Sequence, residues 1–274
     1  MFDAFQLPFM QRGALEVALL APIAAVLGTQ IVLRHLSFYT HGVGTATFPG
    51  LVVAGPIGIS PTVCALAVAA LFATGLTRLA RSARIAFDAA TALLLVAALS
   101  VGIILASDVY HSGSEVDQLL FGSLLAIGDR ELVVTAITLL ITLLAAAALR
   151  RAWLASGFEP ASSRALGLPV LTADWALIAL IGLAVVASLD AVGALLVGAI
   201  LVIPAATARL FARSVGELEL ATGAIALIEG LVGLAVAYEL DVPPGAAIAV
   251  LGGTGFAIGA IARAPMVRIV ARAR

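Results

Sequence analysis

Nine apolar runs follow one another along this chain. Each is about as long as the 17–25 residues that a helix needs to cross the hydrocarbon core of a bilayer. The runs lie near residues 14–33, 43–59, 61–77, 86–106, 132–149, 171–189, 191–208, 218–238 and 245–262. The alternation of a β-barrel strand is absent, so helices have to satisfy the backbone hydrogen bonds inside the bilayer. The pattern predicts an all-α, polytopic transmembrane helical bundle with about nine spans.

The span count has two open alternatives, eight and ten. The runs at 43–59 and 61–77 are short, interrupted by glycine and proline, and almost fused. The membrane class itself follows from composition: 62% of the 274 residues are hydrophobic and 11% are charged, whereas a soluble domain carries about 25% charged residues. So few charges could not give a soluble protein of this length a polar surface. Residues 1–274 are predicted to form one membrane domain.

Arginine-rich and arginine-poor links alternate between the runs. All fifteen basic residues are arginine. The arginine-rich links contain Arg34; Arg78, Arg81 and Arg84; Arg150, Arg151 and Arg164; and Arg209 and Arg213. The positive-inside rule places these links and the basic C-terminal tail in the cytoplasm. Nine spans with the N-terminus outside then satisfy this orientation.

One cytoplasmic link has more structure than a connector needs. The segment GFEPASSRALGLPV contains two serines that can cap a helix, a short apolar stretch and a Gly-x-Pro stop. It predicts a short amphipathic helix at about 158–170 that docks a partner, with an ordinary surface loop as the alternative.

Two polar features interrupt the apolar runs. His41 stands in the stretch RHLSFYTHGVGTATFPG, where a membrane helix begins, and Glu229 lies in the middle of ALIEGLVGL. A carboxyl group within a span is expensive in hydrocarbon, so Glu229 is a functional candidate by default. The alternative for Glu229 is a neutral carboxyl group bonded to a neighbouring helix. For His41 the alternative is a capping or gating residue without metal contact.

Several blocks of the chain resemble, in the same order, the membrane permease of bacterial ABC importers for divalent metals, the zinc, manganese and iron uptake family. These blocks are FMQRGAL (9–15), RHLSFYTHGVGTATFPGLVVA (34–54), the run 87–105, DQLLFGSLLAIG (117–128), FEPASSRALGLPV (158–170), VGALLVGAILVIPAATARL (192–210) and AYELDVPPGAAI (237–248). The segments VIPAATARL and ALGLPV carry most of the specificity, because apolar runs alone would match many membrane proteins.

The resemblance implies a multi-pass protein of the bacterial cytoplasmic (inner) membrane that forms a homodimer and works with a cytoplasmic ABC ATPase. An extracytoplasmic metal-binding protein would deliver the ion, and no nucleic-acid partner is implied. The chain has no Gly-x-x-x-x-Gly-Lys phosphate loop and no lysine, so it cannot be the ATPase and is not expected to be an enzyme. The ATPase is expected to dock on the 158–170 segment through Arg164, Leu166, Gly167, Leu168 and Pro169.

The resemblance also implies a metal site. Where the family has the aspartate and histidine of GDALSHA, this chain has His41 and Thr45, which lie one turn apart on one helix face. Carboxylates from Asp241 and Glu239 are expected to assist, and Glu229 is the next candidate. The hydroxyl of Thr45 is expected to bond to the backbone in preference to the metal.

Imidazole suits zinc better than manganese. We therefore expect the transported ion to be Zn²⁺, with Mn²⁺ and Fe²⁺ as the next candidates, and we expect no covalently bound cofactor. Two other classes stay open from the sequence. An ion-coupled secondary transporter would show internal repeats, and no convincing repeat is found. A non-transporting membrane scaffold would not need the polar 40–47 stretch or Glu229.

Overall fold

The computed structural model describes residues 3–83, 85–109, 127–159, 169–189 and 197–272, together with Gly122, Gly167 and Gly193. Within these residues the chain forms helices and no strand. The helices are α1 (Pro8–Leu33), α2 (Ser37–Ala46), α3 (Phe48–Ile57), α4 (Pro61–Ser82), α5 (Phe87–Val109), α6 (Asp129–Phe158), α7 (Val170–Ala187), α8 (Val197–Arg209), α9 (Val215–Leu240) and α10 (Pro244–Arg272). The prediction of an all-α helical bundle is confirmed.

Seven of the described helices are long and apolar enough to cross a membrane, namely α1, α4, α5, α6, α7, α9 and α10. The predicted run at 191–208 contains the shorter helix α8, which has 13 residues. The predicted run at 43–59 coincides with two helices of ten residues each, α2 and α3. In the described part of the chain, the nine runs therefore appear as seven long helices, one shorter helix and one divided pair.

Helices α1 and α7 form the centre of the bundle. In the most apolar 18-residue stretch of each helix, the buried share is 67% for α1 and 56% for α7. The same share is 17% for α6. Helix α1 packs against α6 and α9, while α7 packs against α4 and α6. The peripheral helices expose large apolar side chains such as Leu71 and Leu144. Such surfaces are compatible with lipid, which is as apolar as leucine.

Helix α1 contains a wider turn at the place where it meets α8. A π-helical turn spans Ala24–Gly28 and follows Pro22, which cannot donate a backbone hydrogen bond. Gly28 then faces the backbone of α8: a Cβ atom at this position would collide with the carbonyl oxygen of Leu201. In lipid, helices associate through close packing of this kind, because burial of apolar surface supplies little driving force there.

Helices α2 and α3 form one discontinuous element that the rest of the bundle encloses. Helix α2 packs against α4, α5, α7 and α8, and α3 packs against α4 and α5. Gly50 permits the close approach to α4, since its Cβ would lie 2.8 Å from the carbonyl oxygen of Cys64. The divided pair therefore carries the polar 40–47 stretch into the interior of the molecule, except for His41, which is exposed.

Candidate metal path

His41 and Thr45 both lie on α2, one turn apart, as the sequence predicted. The side chain of His41 is exposed at the surface of the single chain, whereas Thr45 is 1% exposed. The Oγ1 atom of Thr45 is buried and has no hydrogen-bond partner among the described residues. The expectation that this hydroxyl bonds to the backbone is therefore wrong. The desolvation of this hydroxyl is therefore uncompensated, as it is at Thr29 and Thr142, whose Oγ1 atoms also lack a partner among the described residues.

The break between α2 and α3 lies at Thr47, two residues after Thr45. The Oγ1 atom of Thr47 donates to the carbonyl oxygen of Gly44 at 2.6 Å, and the N–H of Thr47 donates to Val43 at 3.1 Å. Pro49 has no N–H to continue the ladder of α2. Non-helical backbone at membrane depth is tolerated where protein buries it or where it lines a cavity. Thr47 at the break is fully buried, so protein encloses this non-helical backbone.

Helix α8 fixes the position of His41 from the other side. Gly198 lies against the backbone of His41: a Cβ atom at Gly198 would be 3.2 Å from the Cα of His41. Any larger residue at position 198 would displace α2 or α8. The sequence signal for this contact is the pattern of small residues in VGALLVGAI, which allows close helix approach.

Glu239 and Asp241 lie at the C-terminal end of α9, and both are exposed. Asp241 adopts a left-handed conformation with φ of 53° and ends the helix. Aspartate is one of the few residues other than glycine that adopt this conformation readily. The neighbouring Tyr238 contacts Phe9 near the start of α1, with ring centroids 6.0 Å apart. The two carboxylates therefore belong to the end of the molecule where α1 begins.

Glu229 is half-buried in the middle of α9 and faces α10. A Cβ atom at Gly252 would lie 2.9 Å from its Oε2, and one at Gly255 would lie 3.5 Å from its Oε1. No described residue forms a hydrogen bond with its carboxyl group. The alternative from the sequence, a neutral carboxyl group bonded to a neighbouring helix, therefore finds no partner among the described residues. The two glycines leave room beside the carboxyl group.

The five predicted metal residues occupy three places in the single chain: α2, the middle of α9 and the end of α9. Among the described residues, no group of three or more histidine, cysteine, aspartate or glutamate side chains is close enough to hold a metal ion. A common site formed by His41 and Asp241 stays a prediction.

The predicted docking segment is described only in part. Arg164, Leu166 and Leu168 lie outside the described residues. Gly167 has a positive φ of 68°, which favours glycine, and Pro169 immediately precedes α7. These two residues are compatible with the predicted Gly-x-Pro stop. The docking role stays a prediction.

Sequence reasoning missed a cluster at the C-terminal end of α1 that adjoins this segment. Arg34 donates through Nη1 to Asp174 Oδ1 at 2.6 Å and through Nη2 to the carbonyl oxygen of Trp153 at 2.6 Å. Nη2 also donates to Ser156 Oγ at 2.5 Å. Since Trp153 and Ser156 are on α6 and Asp174 is on α7, one guanidinium joins three helices.

Glu16 was also missed. This residue on α1 is 1% exposed, and its Oε1 accepts a hydrogen bond of 2.7 Å from Thr135 Oγ1 on α6. The hydroxyl of Thr135 also lies 3.3 Å from the carbonyl oxygen of Ala187 on α7. The signal that could have found Glu16 is the one that singled out Glu229, an acid within an apolar run.

Comparisons with known proteins agree with this architecture. The sequence model described as the ABC 3 transport family matches residues 6–263. The chain is 30% identical to the manganese transport system membrane protein MntC of Halalkalibacterium halodurans, over 91% of this chain and 86% of that protein. It is 28% identical to the chelated iron transport system membrane protein YfeD of Yersinia pestis, over 94% of this chain and 87% of that protein.

Among solved structures, the chain is similar to PsaBC from Streptococcus pneumoniae in complex with Fab. The TM-score is 0.84 at 26% sequence identity, and the match covers 94% of this chain and 93% of that chain. The helices described above therefore have the arrangement of that solved structure over nearly the whole chain.

Proposed function

Because the chain belongs to the ABC 3 transport family, we propose that it imports manganese or iron(II) along a path that includes His41 and Thr45. The chain is the membrane permease of an ABC importer for divalent metals in a bacterial inner membrane. ATP hydrolysis belongs to a separate subunit, so the permease is not an enzyme. Importers of this family combine ATPase subunits, a substrate-binding protein and paired permeases.

The observation that carries the path is the unpartnered hydroxyl of Thr45 beside a helix break. Thr45 is buried, and its Oγ1 has no partner among the described residues. A metal ion passing along α2 would offer this oxygen a ligand-type contact, and His41 would offer nitrogen one turn away. A few weak ligands suit a transporter, because the ion has to be released again.

The choice of ion differs from the sequence expectation. Zinc was placed first because of the imidazole of His41. The relatives named above are named for manganese and chelated iron, and hydroxyl or carboxylate oxygen suits manganese while imidazole also suits iron. Zinc is kept as the competing ion in the test.

The carboxylates occupy the outer part of the proposed path. If the arginine-rich links are cytoplasmic, the end of α9 faces outward. Glu239 and Asp241 are exposed there, so they can attract a cation delivered from outside. We place Glu229 outside this path as a second candidate, since its carboxyl group faces α10.

The exposure of His41 supports pairing with a second copy of the permease. In a symmetric pair the same surface of each chain meets across a two-fold axis. A path between two identical permeases would let His41 of each copy face the same ion, and this would complete a ligand set that one chain lacks. The homodimer and the docking of the ATPase on residues 158–170 are parts of this proposal.

The test is metal uptake by cells that depend on this permease. His41→Ala should reduce manganese and iron(II) uptake at least tenfold at unchanged protein level, because the loss of a ligand worth ~1.4 kcal/mol is a factor of ten. His41→Asp should keep uptake and favour manganese over iron and zinc, in line with the harder ligand.

His35→Asn is the matched control. His35 is an exposed histidine with a left-handed φ of 57°, a conformation that asparagine also tolerates. The His35→Asn variant should therefore transport metal at the native rate. Normal metal uptake by His41→Ala would remove α2 from the path. Uptake of zinc alone by the native permease would overturn the choice of ion.

A further inference from the structure

Two adjoining cavities form a continuous groove between α1, α6 and α9. The first has a volume of about 500 Å³ and the second about 310 Å³. Val26, Leu143 and Glu219 line both of them. Each volume lies within the range of roughly 300–1,000 Å³ that is usual for small-ligand sites. We call this feature the α1–α6–α9 groove.

The first cavity is the apolar part of the groove. Its floor consists of small residues on α1 and α9, namely Ala18, Ala21, Ala25, Gly223 and Ala224. From Ala18 to Val26 the helix rises about 12 Å, so the apolar part runs along the helices as an elongated slot. A slot of this shape and chemistry fits a hydrocarbon chain.

The second cavity is the polar part. Arg150 Nη2 pairs with Glu219 Oε2 at 2.8 Å. Arg151 is exposed and has no ion pair or hydrogen bond to any described residue. Two arginines against one glutamate leave an excess of positive charge at this end. An anionic group would complement that charge, and arginine binds phosphate oxygens well through its fixed fork of donors.

Gln30 is an independent sign of a ligand. It is 2% exposed, it lines the polar part, and no described residue forms a hydrogen bond with its side-chain amide. The residue lines the cavity, so its amide is available there to donate a hydrogen bond to a ligand or to accept one from it. A ligand in the groove would supply the missing partner.

The depth of the groove identifies the ligand. Arg150 and Arg151 lie near the C-terminal end of α6, on the arginine-rich side that the positive-inside rule places at the cytoplasm. The polar part then lies at the headgroups of the inner leaflet, and the apolar part lies among its acyl chains. Basic pockets between membrane helices on this side can bind anionic lipid headgroups.

We propose that the α1–α6–α9 groove binds an anionic phospholipid of the inner leaflet. One acyl chain occupies the apolar part, and the phosphate contacts Arg151 and the amide of Gln30. A free phosphate ion would leave the apolar part empty. A second copy of the chain would have to insert a charged acidic segment into a narrow slot.

Native mass spectrometry of the purified permease–ATPase complex tests the charge requirement. Phosphatidylglycerol and phosphatidylcholine with identical dioleoyl chains are the two probes. The native complex should bind phosphatidylglycerol more tightly. Arg151→Gln should weaken that binding about fivefold, the effect of one basic residue near the headgroups. Arg263→Gln changes an exposed arginine outside the groove and should have no effect.

Two further variants keep the proposal falsifiable. Glu219→Gln removes the negative charge in the groove and should tighten phosphatidylglycerol binding. Ala224→Phe should block the apolar part and reduce the binding of both lipids, whereas Ala97→Phe on the exposed face of α5 should not. Equal binding of the two lipids by the native complex would overturn the proposal. A second outcome would also overturn it: the Ala224→Phe variant dissociates the permease pair but still binds phosphatidylglycerol. That result would mean that a second copy of the chain, and not a lipid, covers the groove.

Discussion

Gly28 sets the distance between the two helices that meet at the π-helical turn. Because a Cβ atom there would collide with the carbonyl oxygen of Leu201, any other residue has to push α1 away from α8. Backbone atoms cannot move aside as the end of a flexible side chain can. The same geometry applies on a smaller scale at Gly198, which lies against the backbone of His41.

Gly28→Ala should lower the free energy of unfolding by about 1–3 kcal/mol, the usual cost of overpacking. Gly253→Ala is the matched control, because nothing lies within 4 Å of a Cβ at Gly253. Replacing a glycine within a helix by alanine gains roughly 0.5–1 kcal/mol, so this control should be neutral or stabilised. Thermal unfolding of both variants in the same detergent measures the difference. Equal stability of the two would mean that α1 and α8 do not touch at Gly28.

At the scale of elements, Arg34 connects α1 with the two helices that flank the proposed docking segment. Its side chain is 12% exposed, and that of Asp174 is 39% exposed. The cluster therefore ties the ends of α6 and α7 that border this segment to the end of α1. The turn after Arg34 leads directly into α2, so a displacement of α6 and α7 can reach the position of His41 through a short, rigid connection.

Arg34→Gln should lower the amount of metal transported per ATP hydrolysed, while ATP hydrolysis itself continues. Removing one partner of a buried pair costs about 3–5 kcal/mol, and the partial exposure of Asp174 should reduce that loss. Asp174→Glu, with Arg34 intact, keeps the ion pair and should retain much of the native coupling. The measurement is transport and hydrolysis by the permease–ATPase complex in proteoliposomes.

Arg12→Gln serves as the control for this experiment. It breaks an exposed ion pair with Asp129, 3.0 Å long, and pairs of that kind contribute about 0–1 kcal/mol. Coupling should stay at the native level in this variant. A normal ratio of transport to hydrolysis in Arg34→Gln would show that the cluster only holds the helices together.

At the scale of the whole molecule, the positive-inside rule predicts that the arginine-rich links lie on the cytoplasmic face. Cysteine labelling in intact cells tests this orientation after Cys64, the single native cysteine, is changed to alanine. Pro243→Cys, between α9 and α10, should react with a membrane-impermeant reagent added outside. Arg213→Cys, between α8 and α9, should react only after the cells are permeabilised, because its link is cytoplasmic under the positive-inside rule. The opposite result for the two variants would reverse the topology, and the phospholipid proposed for the groove would then belong to the outer leaflet.

Apolar length determined the helical class of this protein without help from tertiary structure. A span needs about 20 apolar residues, and that property is local. The runs therefore located the seven long helices, although α1, α6 and α10 extend six to ten residues beyond one end of their runs. The family resemblance singled out His41 and Thr45 in the same way, through neighbouring residues in one segment.

Contacts between distant segments could not be predicted from the apolar runs or from the family resemblance. Arg34 and Asp174 are 140 positions apart, and Glu16 and Thr135 are 119 apart. Pairing across such separations depends on which helix faces meet, and apolar runs with nearly uniform surfaces do not specify those faces. The unpartnered hydroxyl of Thr45 could not be predicted for the same reason, because it too depends on which helix faces meet. A threonine within a helix can usually bond to its own backbone, and only the packing around α2 decided that this one does not.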